Sequence, residues 1–526
     1  MMQNKKPIEK RNKKKMKYIL IFHANLNYAY LPEDKYEFVI RKSYEMTIKT
    51  MARYFPETKY VFEASGFTIE QIAEKTPDVL YALKQAIASG QCEFMGSPYA
   101  HPMLPNFPEE DGKWSISFSN EVYKKYLGIQ PESFWNPECG WRSYVPRQIA
   151  ESGYNYLIGD FEAYSRSVDK NGNPLRPEIY EKEHTDEPSF YNFGFQYDLP
   201  GDEKAIHFPF NTIEGLEKDE LRVFLRTDRI AQFGVRYFMG MQGYSLEKYL
   251  DLIKKYSAQK EGEQEGALII FADDAEYIGT NGWFKLKYEN KPEEVFQATP
   301  ESKQKLIELV EGCGKLGGFT TFGEGCKNLP AIEEPLTFDD DSAWHGARAS
   351  TWANTPMARL LRPWQDLVRK EIQKGKIKDG KTLKKVWYHL TNSYNSDGQW
   401  PPTLPESPHL VHPFNYNYCF SNLEKAWFMV GCSGLDNLNT NPTQTLKEIL
   451  LPQSGLIKQK ALGMLETDRK NEKAQNALEL IAEATDFSSV ENSGLKVLSP
   501  LEYEKRVNKI VSARRLVGGV QIEKGQ

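Results

Sequence analysis

Apolar positions in the first 325 residues follow two spacings that alternate along the chain. Short unbroken runs, KYILIF (Lys17 to Phe22) and KYVFEA (Lys59 to Ala64), read as buried strands. Between and after them, EFVIRKSYEMTIKTMARYF and TIEQIAEKTPDVLYALKQAIASG carry apolar residues at helical spacing, and the second ends on a glycine suited to a helix C-terminus. Further strand runs follow in CEFMG, SFWNP, YNYLIGD, LRVFLR, ALIIFADD and GFTTFGE, with SLEKYLDLIKKYS and ESKQKLIELVEGCGKLG as helices among them. Strand and helix in repeated alternation imply a parallel sheet of the α/β class. This many units predicts a barrel over residues 17–328.

Residues 165–220 interrupt the pattern with a polar, turn-rich stretch that reads as an insertion or lid near the site. Past Leu329 the strand signal fades. MARLLRPWQDLVRKEI, TLKKVWYHLTNSY, NLEKAWFMV, QTLKEILL and KNEKAQNALELIAEA replace it, which predicts a helical domain over 329–526 packed on the barrel.

Composition narrows the class. With 526 residues, 40% hydrophobic and 26% charged, the chain has the make-up of a soluble globular protein of more than one domain. A net charge of −5 supplies no electrostatic reason to expect nucleic acid as a partner. The basic run in residues 1–16 reads as a flexible tail, and the apolar stretch behind it is too short for a signal-peptide core. No segment approaches the roughly 20 apolar residues that span a bilayer, so no membrane partner is expected. The six cysteines fall in no CxxC pair, which fits reduced thiols in a cytoplasmic protein.

Working residues of a parallel barrel gather at the C-terminal ends of its strands. His23, Glu138 and Asp274 each follow an apolar run, as do His101 past CEFMG and Glu324 past GFTTF, so five titratable groups are expected to face one mouth. FWNPECGW sets Glu138 between Trp135 and Trp141. IIFADDAEYIG places Asp273, Asp274 and Glu276 directly after a buried run, where charge is costly unless it is solvated, paired or used. Side chains alternate along a strand, so only one of Asp273 and Asp274 faces the substrate. Glycosidic cleavage requires two carboxyl groups, one to protonate the leaving oxygen and one to attack carbon or activate water. Glu138 with Asp273 or Asp274 supplies that pair, and Trp135, Trp141, Tyr99, Tyr277 and Trp283 supply faces for sugar rings. No GxGxxG or GxxxxGK[ST] stretch follows a strand, and no cofactor is expected.

Four stretches in order resemble glycoside hydrolase family 57: HANLNYAYLP, GSPYAHPMLP, WNPECGW and FADDAEYIG, with LRTDRIAQFGVRY similar to a segment that precedes the last of them. The resemblance implies a distorted (β/α)7 barrel followed by a helical C-terminal domain. It implies a retaining hydrolase or transglycosylase on α-1,4-linked glucans, with Glu138 as nucleophile and Asp274, two places before Glu276, as acid/base. His23, Asn25, His101 and Glu276 would then line the sugar subsite, joined in substrate binding by Trp135, Trp141, Arg226, Asp228, Trp283 and Trp400. Asp273 would be structural. NSDGQWPP and AWHGARASTW, with Asp397, His345 and Arg348, read as packing and turns or as one wall of a glucan groove. Related barrels bind zinc and act as α-mannosidases or polysaccharide deacetylases, but they place an aspartate two residues after the first histidine. Asn25 stands there, so no metal is expected. A non-catalytic glucan-binding protein is the remaining alternative.

Overall fold

The computed structural model describes residues 16–28, 31–179, 202–258, 264–282, 294–399, 413–431 and 442–488, and parts of 505–517. Among the described residues eight strands build two parallel sheets. In the larger, β3 (Cys92–Met95), β2 (Tyr60–Ala64), β1 (Lys17–Ala24) and β7 (Ala267–Asp274) lie in that order, with β8 (Gly318–Phe319) beside the start of β1. The smaller holds β4 (Ser133–Phe134), β5 (Tyr156–Asp160) and β6 (Arg222–Arg226). Gly96 joins the two sheets, donating to Ser133 O at 2.9 Å and accepting from Trp135 N at 2.7 Å. No ladder joins β6 to β7 among the described residues. Instead Arg226 reaches across, its Nε donating to Ala272 O at 3.1 Å.

Strands β1 and β7 are buried along nearly their whole length, which is why their sequences run apolar without alternation. Parallel register then decides which polar ends meet. His23 stands opposite Glu63 on β2 and opposite Asp274 on β7.

Three sequence expectations are corrected. The helix read across residues 68–90 is two, Gly66–Lys75 and Pro77–Ala88, because Pro77 cannot donate its backbone nitrogen and starts a new helix. GFTTFGE is a strand for two residues only. Thr321 then caps a helix, Phe322–Asn328, by accepting from Glu324 N. Glu324 therefore does not face the mouth: it pairs with Lys59 at 2.7 Å, beside the first residue of β2 and so at the opposite end of that strand from Glu63. In 165–220, the described part after residue 201 packs inward, with Ile206, Phe210 and Ile213 buried and Phe210 bridged to Val223 and Ile332.

Past residue 353 the described elements are helical: Pro356–Gln373, Gly380–Asn392, Pro413–Val430, Pro442–Thr467 and Glu472–Thr485. They share one apolar core with the strand-bearing part. Trp387 stacks on Trp114 of the helix Glu109–Tyr126, and Arg369 grips Asp111 of the same helix at 2.6 Å. A short 3-10 turn, Asp397–Gln399, follows the helix Gly380–Asn392 and carries the chain back to the strand ends.

Candidate active site

The ends of β1, β2 and β7 and the turn after β4 bring a set of acids and histidines into one buried cluster. Glu138 sits in a turn opened by Pro137, at φ 57°, a left-handed backbone that a side-chain-bearing residue adopts at a cost of order 1–3 kcal/mol. His101 shares the strain at φ 54°. Such geometry persists where the surroundings dictate it, and here both side chains are aimed at the same point. His101 Nδ1 lies 3.8 Å from Glu138 Oε1 and 3.0 Å from Ser396 Oγ, whose hydroxyl donates to Glu138 Oε1 at 2.7 Å.

On the other side, Tyr28 OH donates to Asp274 Oδ2 at 2.6 Å, and His23 Nε2 is 3.9 Å from Asp274 Oδ1. The His23 ring stacks on Trp135 at 4.6 Å and lies 5.1 Å from the His101 ring. Glu276 accepts from Asn25 N at 2.8 Å and from Tyr44 OH, while the Asn25 amide donates to Asp397 at 2.9 Å. Asn25 Oδ1, His101 Nε2, Glu138 Oε2 and Glu276 Oε2 are buried with no hydrogen-bond partner among the described residues. Four open polar atoms in one cluster are an unusual concentration, and they can accept from or donate to sugar hydroxyls.

Charge in the cluster is set by few groups. Burial alone would lower the His23 pKa, but Glu63, in direct contact with its Nδ1, lifts it to about 10, so His23 carries a positive charge at neutral pH. Burial leaves the Glu63 carboxyl above its usual value, with His23 and the Ser97 hydroxyl acting against it. His101 is held neutral by burial and by the His23 charge. Burial, Asp273 and Glu276 raise Asp274 well above the usual carboxylate range. Burial and Asp397 also raise Glu138, with the Ser396 hydrogen bond and His23 acting against them. Burial lifts Glu276 to about 7.

The remaining expected site residues lie elsewhere around this cluster. Trp135 is fully buried beneath it, one ring face taken by His23, and so holds His23 in place where a sugar platform was expected. Trp141 packs on Phe338 at 4.4 Å. Arg226 and Asp228 form a buried network with Asp160, Glu162, Arg229 and His345: Arg226 pairs with Asp160 at 3.0 Å and Asp228 at 2.8 Å, and His345 with Asp228 at 2.7 Å. His345 and Arg226 hold the Asp228 carboxyl well below the usual range, against its burial. The Arg226 guanidinium also comes within 3.6 Å of Asp273, which is how this network reaches the residue next to Asp274. One carboxylate oxygen from each of Asp160, Glu162 and Asp228 lies within 4.8 Å of the others, close enough to hold a metal ion, but their partners here are the Arg226 and Arg229 guanidinium groups and the His345 ring. Trp283 and Trp400 lie outside the described residues.

Glu63, Tyr28, Tyr44 and Ser396 were not anticipated. One signal was available for Glu63: an acid near the end of an otherwise apolar run is expensive unless it meets a cation.

Comparison with known proteins converges on one family. The sequence model of Glycosyl hydrolase family 57 matches residues 2–311. Alpha-amylase 1 of Dictyoglomus thermophilum is 30% identical over 132 residues, which is 24% of this chain and 19% of that protein. The alignment thus spans about a fifth of that relative's own length. The crystal structure of a 4-alpha-glucanotransferase from Thermococcus litoralis superposes with a TM-score of 0.55 at 16% identity, covering 79% of this chain and 60% of that one. A family 57-type branching enzyme from Pyrococcus horikoshii gives 0.53 at 13% identity, covering 95% and 96%. These structural matches show a common fold.

Proposed function

The chain belongs to glycosyl hydrolase family 57, and from that premise we propose that it cleaves α-1,4-linked glucans with retention, passing the glycosyl group to water or to another sugar hydroxyl. One observation carries the reading. Two buried carboxyl groups from different strand ends, Glu138 beside His101 and Asp274 beside the charged His23, share one cluster with unfilled hydrogen-bonding capacity. The names of the relatives, amylases and 4-alpha-glucanotransferases, support the substrate class.

Two acids in one dry cluster do not ionise together. Asp274 has Asp273 and Glu276 as neighbours, so the proton stays there. Burial raises both carboxyls well above the usual range, and this reading gives the attacking role to Glu138, whose Oε1 accepts from the Ser396 hydroxyl. Glu138 attacks the anomeric carbon while Asp274 gives its proton to the leaving oxygen, forming a glycosyl ester on Glu138. Asp274, now a carboxylate, takes a proton from the incoming water or hydroxyl, which displaces Glu138 and restores the α configuration. His23, Asn25, His101 and Glu276 bind hydroxyls of the sugar held between the acids.

In this reading β1 to β7 of the two sheets make a distorted seven-stranded barrel within residues 17–328, with β8 off its path beside the start of β1 and Arg226 bridging the gap between β6 and β7. The helices of 329–526 form the second domain and supply Ser396 and Asp397. Cys92, Cys139, Cys313, Cys326 and Cys419 are buried free thiols, which supports a reducing, cytoplasmic setting. Among the described residues no helix is long and apolar enough to cross a membrane.

The test is product analysis with maltoheptaose and amylose, for wild type and Glu138→Ala. Shorter products alone identify a hydrolase, and a ladder above the starting length identifies a transferase. A wild-type protein silent on both, or a variant equal to it, overturns the proposal.

A further inference from the structure

A cleft of about 470 Å3 lies where the loop after β3 and the turn around Arg142 meet the helix Pro356–Gln373. None of the expected site residues lines it. Its volume falls within the roughly 300–1,000 Å3 typical of small-molecule sites.

Its walls are unusually rich in guanidinium groups. Arg369 is balanced, donating to Asp111 and to Asp366. Arg362 is not: half-buried on the same helix, it lies over the Phe107 ring at 4.4 Å, and among the described residues it makes no hydrogen bond or ion pair. Burial pulls its pKa below the usual arginine value, the mark of a cation short of counter-charge. Arg142, exposed at the rim, donates to Asp340 O at 3.4 Å, interacts with the Tyr144 hydroxyl and makes no ion pair among the described residues. Neither of these two cations makes an ion pair among the described residues, and the single acid lining the cleft, Asp366, is hydrogen-bonded by Arg369.

That balance selects an anion. Phe107 is covered by Tyr394 at 3.7 Å and by Arg362, so its ring is not free to stack on a neutral sugar. Guanidinium groups are matched to phosphate oxygens in charge and in fork geometry. The cleft is larger than a phosphate alone requires, and Asn106 and Asn354 add amides that suit hydroxyl groups. We propose that this cleft binds a small phosphomonoester with a polyhydroxyl body, of the sugar phosphate class, with Arg362 and Arg142 on the phosphate.

The assignment stands apart from the catalytic reading, because its readout is binding. Isothermal titration calorimetry of the full chain with glucose 1-phosphate, inorganic phosphate and glucose tests it. Glucose 1-phosphate is expected to bind with a Kd below about 1 mM, inorganic phosphate more weakly, and glucose not to compete with it. Arg362→Gln should weaken glucose 1-phosphate binding by about tenfold or more, the loss of one charge-assisted contact. Arg142→Gln, exposed and safe for folding, should weaken it by several-fold. Wild-type affinity in both variants, competition by glucose, or no phosphate ligand binding below about 10 mM overturns the proposal. Inorganic phosphate binding as tightly as glucose 1-phosphate overturns the sugar part of it.

Discussion

Asp160, Glu162 and Asp228 are buried at the ends of β5 and β6 much as Glu138, Asp274 and Glu276 are buried around β4 and β7, yet the two groups are neutralised differently. Each of the first three meets a guanidinium fixed by the fold: Asp160 meets Arg226 at 3.0 Å, Glu162 meets Arg229 at 3.5 Å, and Asp228 meets Arg226 at 2.8 Å, with the His345 ring 2.7 Å away. The second three have His23 as their imidazolium, 3.9 Å from Asp274, and otherwise hydroxyls, amides and protons. His345 and Arg226 hold the Asp228 carboxyl low, whereas burial and the neighbouring acids raise Asp160 and Glu162 despite their arginine partners. A carboxyl group left short of cations keeps its proton or a lone pair available for chemistry. The first group is tied down by fixed guanidinium groups, while the second leaves Glu138 Oε2 and Glu276 Oε2 open to a ligand.

Mutations should separate them, beginning with the largest effect. Glu138→Ala should lower turnover by about 10^4-fold or more while leaving the melting temperature unchanged or higher, since it removes a buried, poorly compensated acid. A large loss of stability with modest loss of turnover would put Glu138 in the structural class. Arg226→Met should do the reverse. It strands Asp160 and Asp228 without their charge partner, at a cost of roughly 3–5 kcal/mol in denaturant unfolding, and a variant as stable as wild type would break the contrast.

Glu63→Gln acts between the two classes. It keeps a hydrogen bond to His23 but removes the charge that holds the imidazolium. A drop of about 10- to 100-fold in kcat is expected, with the alkaline side of the pH profile moved lower, because His23 would then lose its proton well before pH 10. Matching pH profiles would sink this reading. Glu276→Gln gives the smallest change. The folded state favours the protonated acid, whose pKa is raised to about 7, so its contribution to stability is full below the free value near 4.5 and is lost as pH rises through 7. The variant lacks that loss, and the difference in melting temperature between pH 5 and pH 8 should shrink by a few degrees. An unchanged difference would show that Glu276 does not titrate there.

Much of this was legible along the chain. KYILIF, ALIIFADD and LRVFLR are strands of both the pattern and the structure, because a doubly covered strand writes its burial as an unbroken apolar run. Glu138, Asp274 and His23 stood out because charged or polar groups at the ends of such runs need a reason. What the pattern hid was register. Nothing local in KYVFEA says that Glu63 stands opposite His23, and nothing in NSDGQW says that Ser396 reaches a carboxylate 258 residues earlier. The GFTTFGE error was local and avoidable, since Thr321 and Glu324 three residues later form a helix-start signature.

The hydrogen bond from Ser396 to Glu138 also sets a clock. Chain growth at about 5–20 residues per second separates the two side chains by a delay on the order of 10 to 50 s. Through that interval the strand-bearing part of the nascent chain holds its acids without the hydroxyl that steadies one of them, so the cluster is completed late in synthesis, when the helical segment arrives.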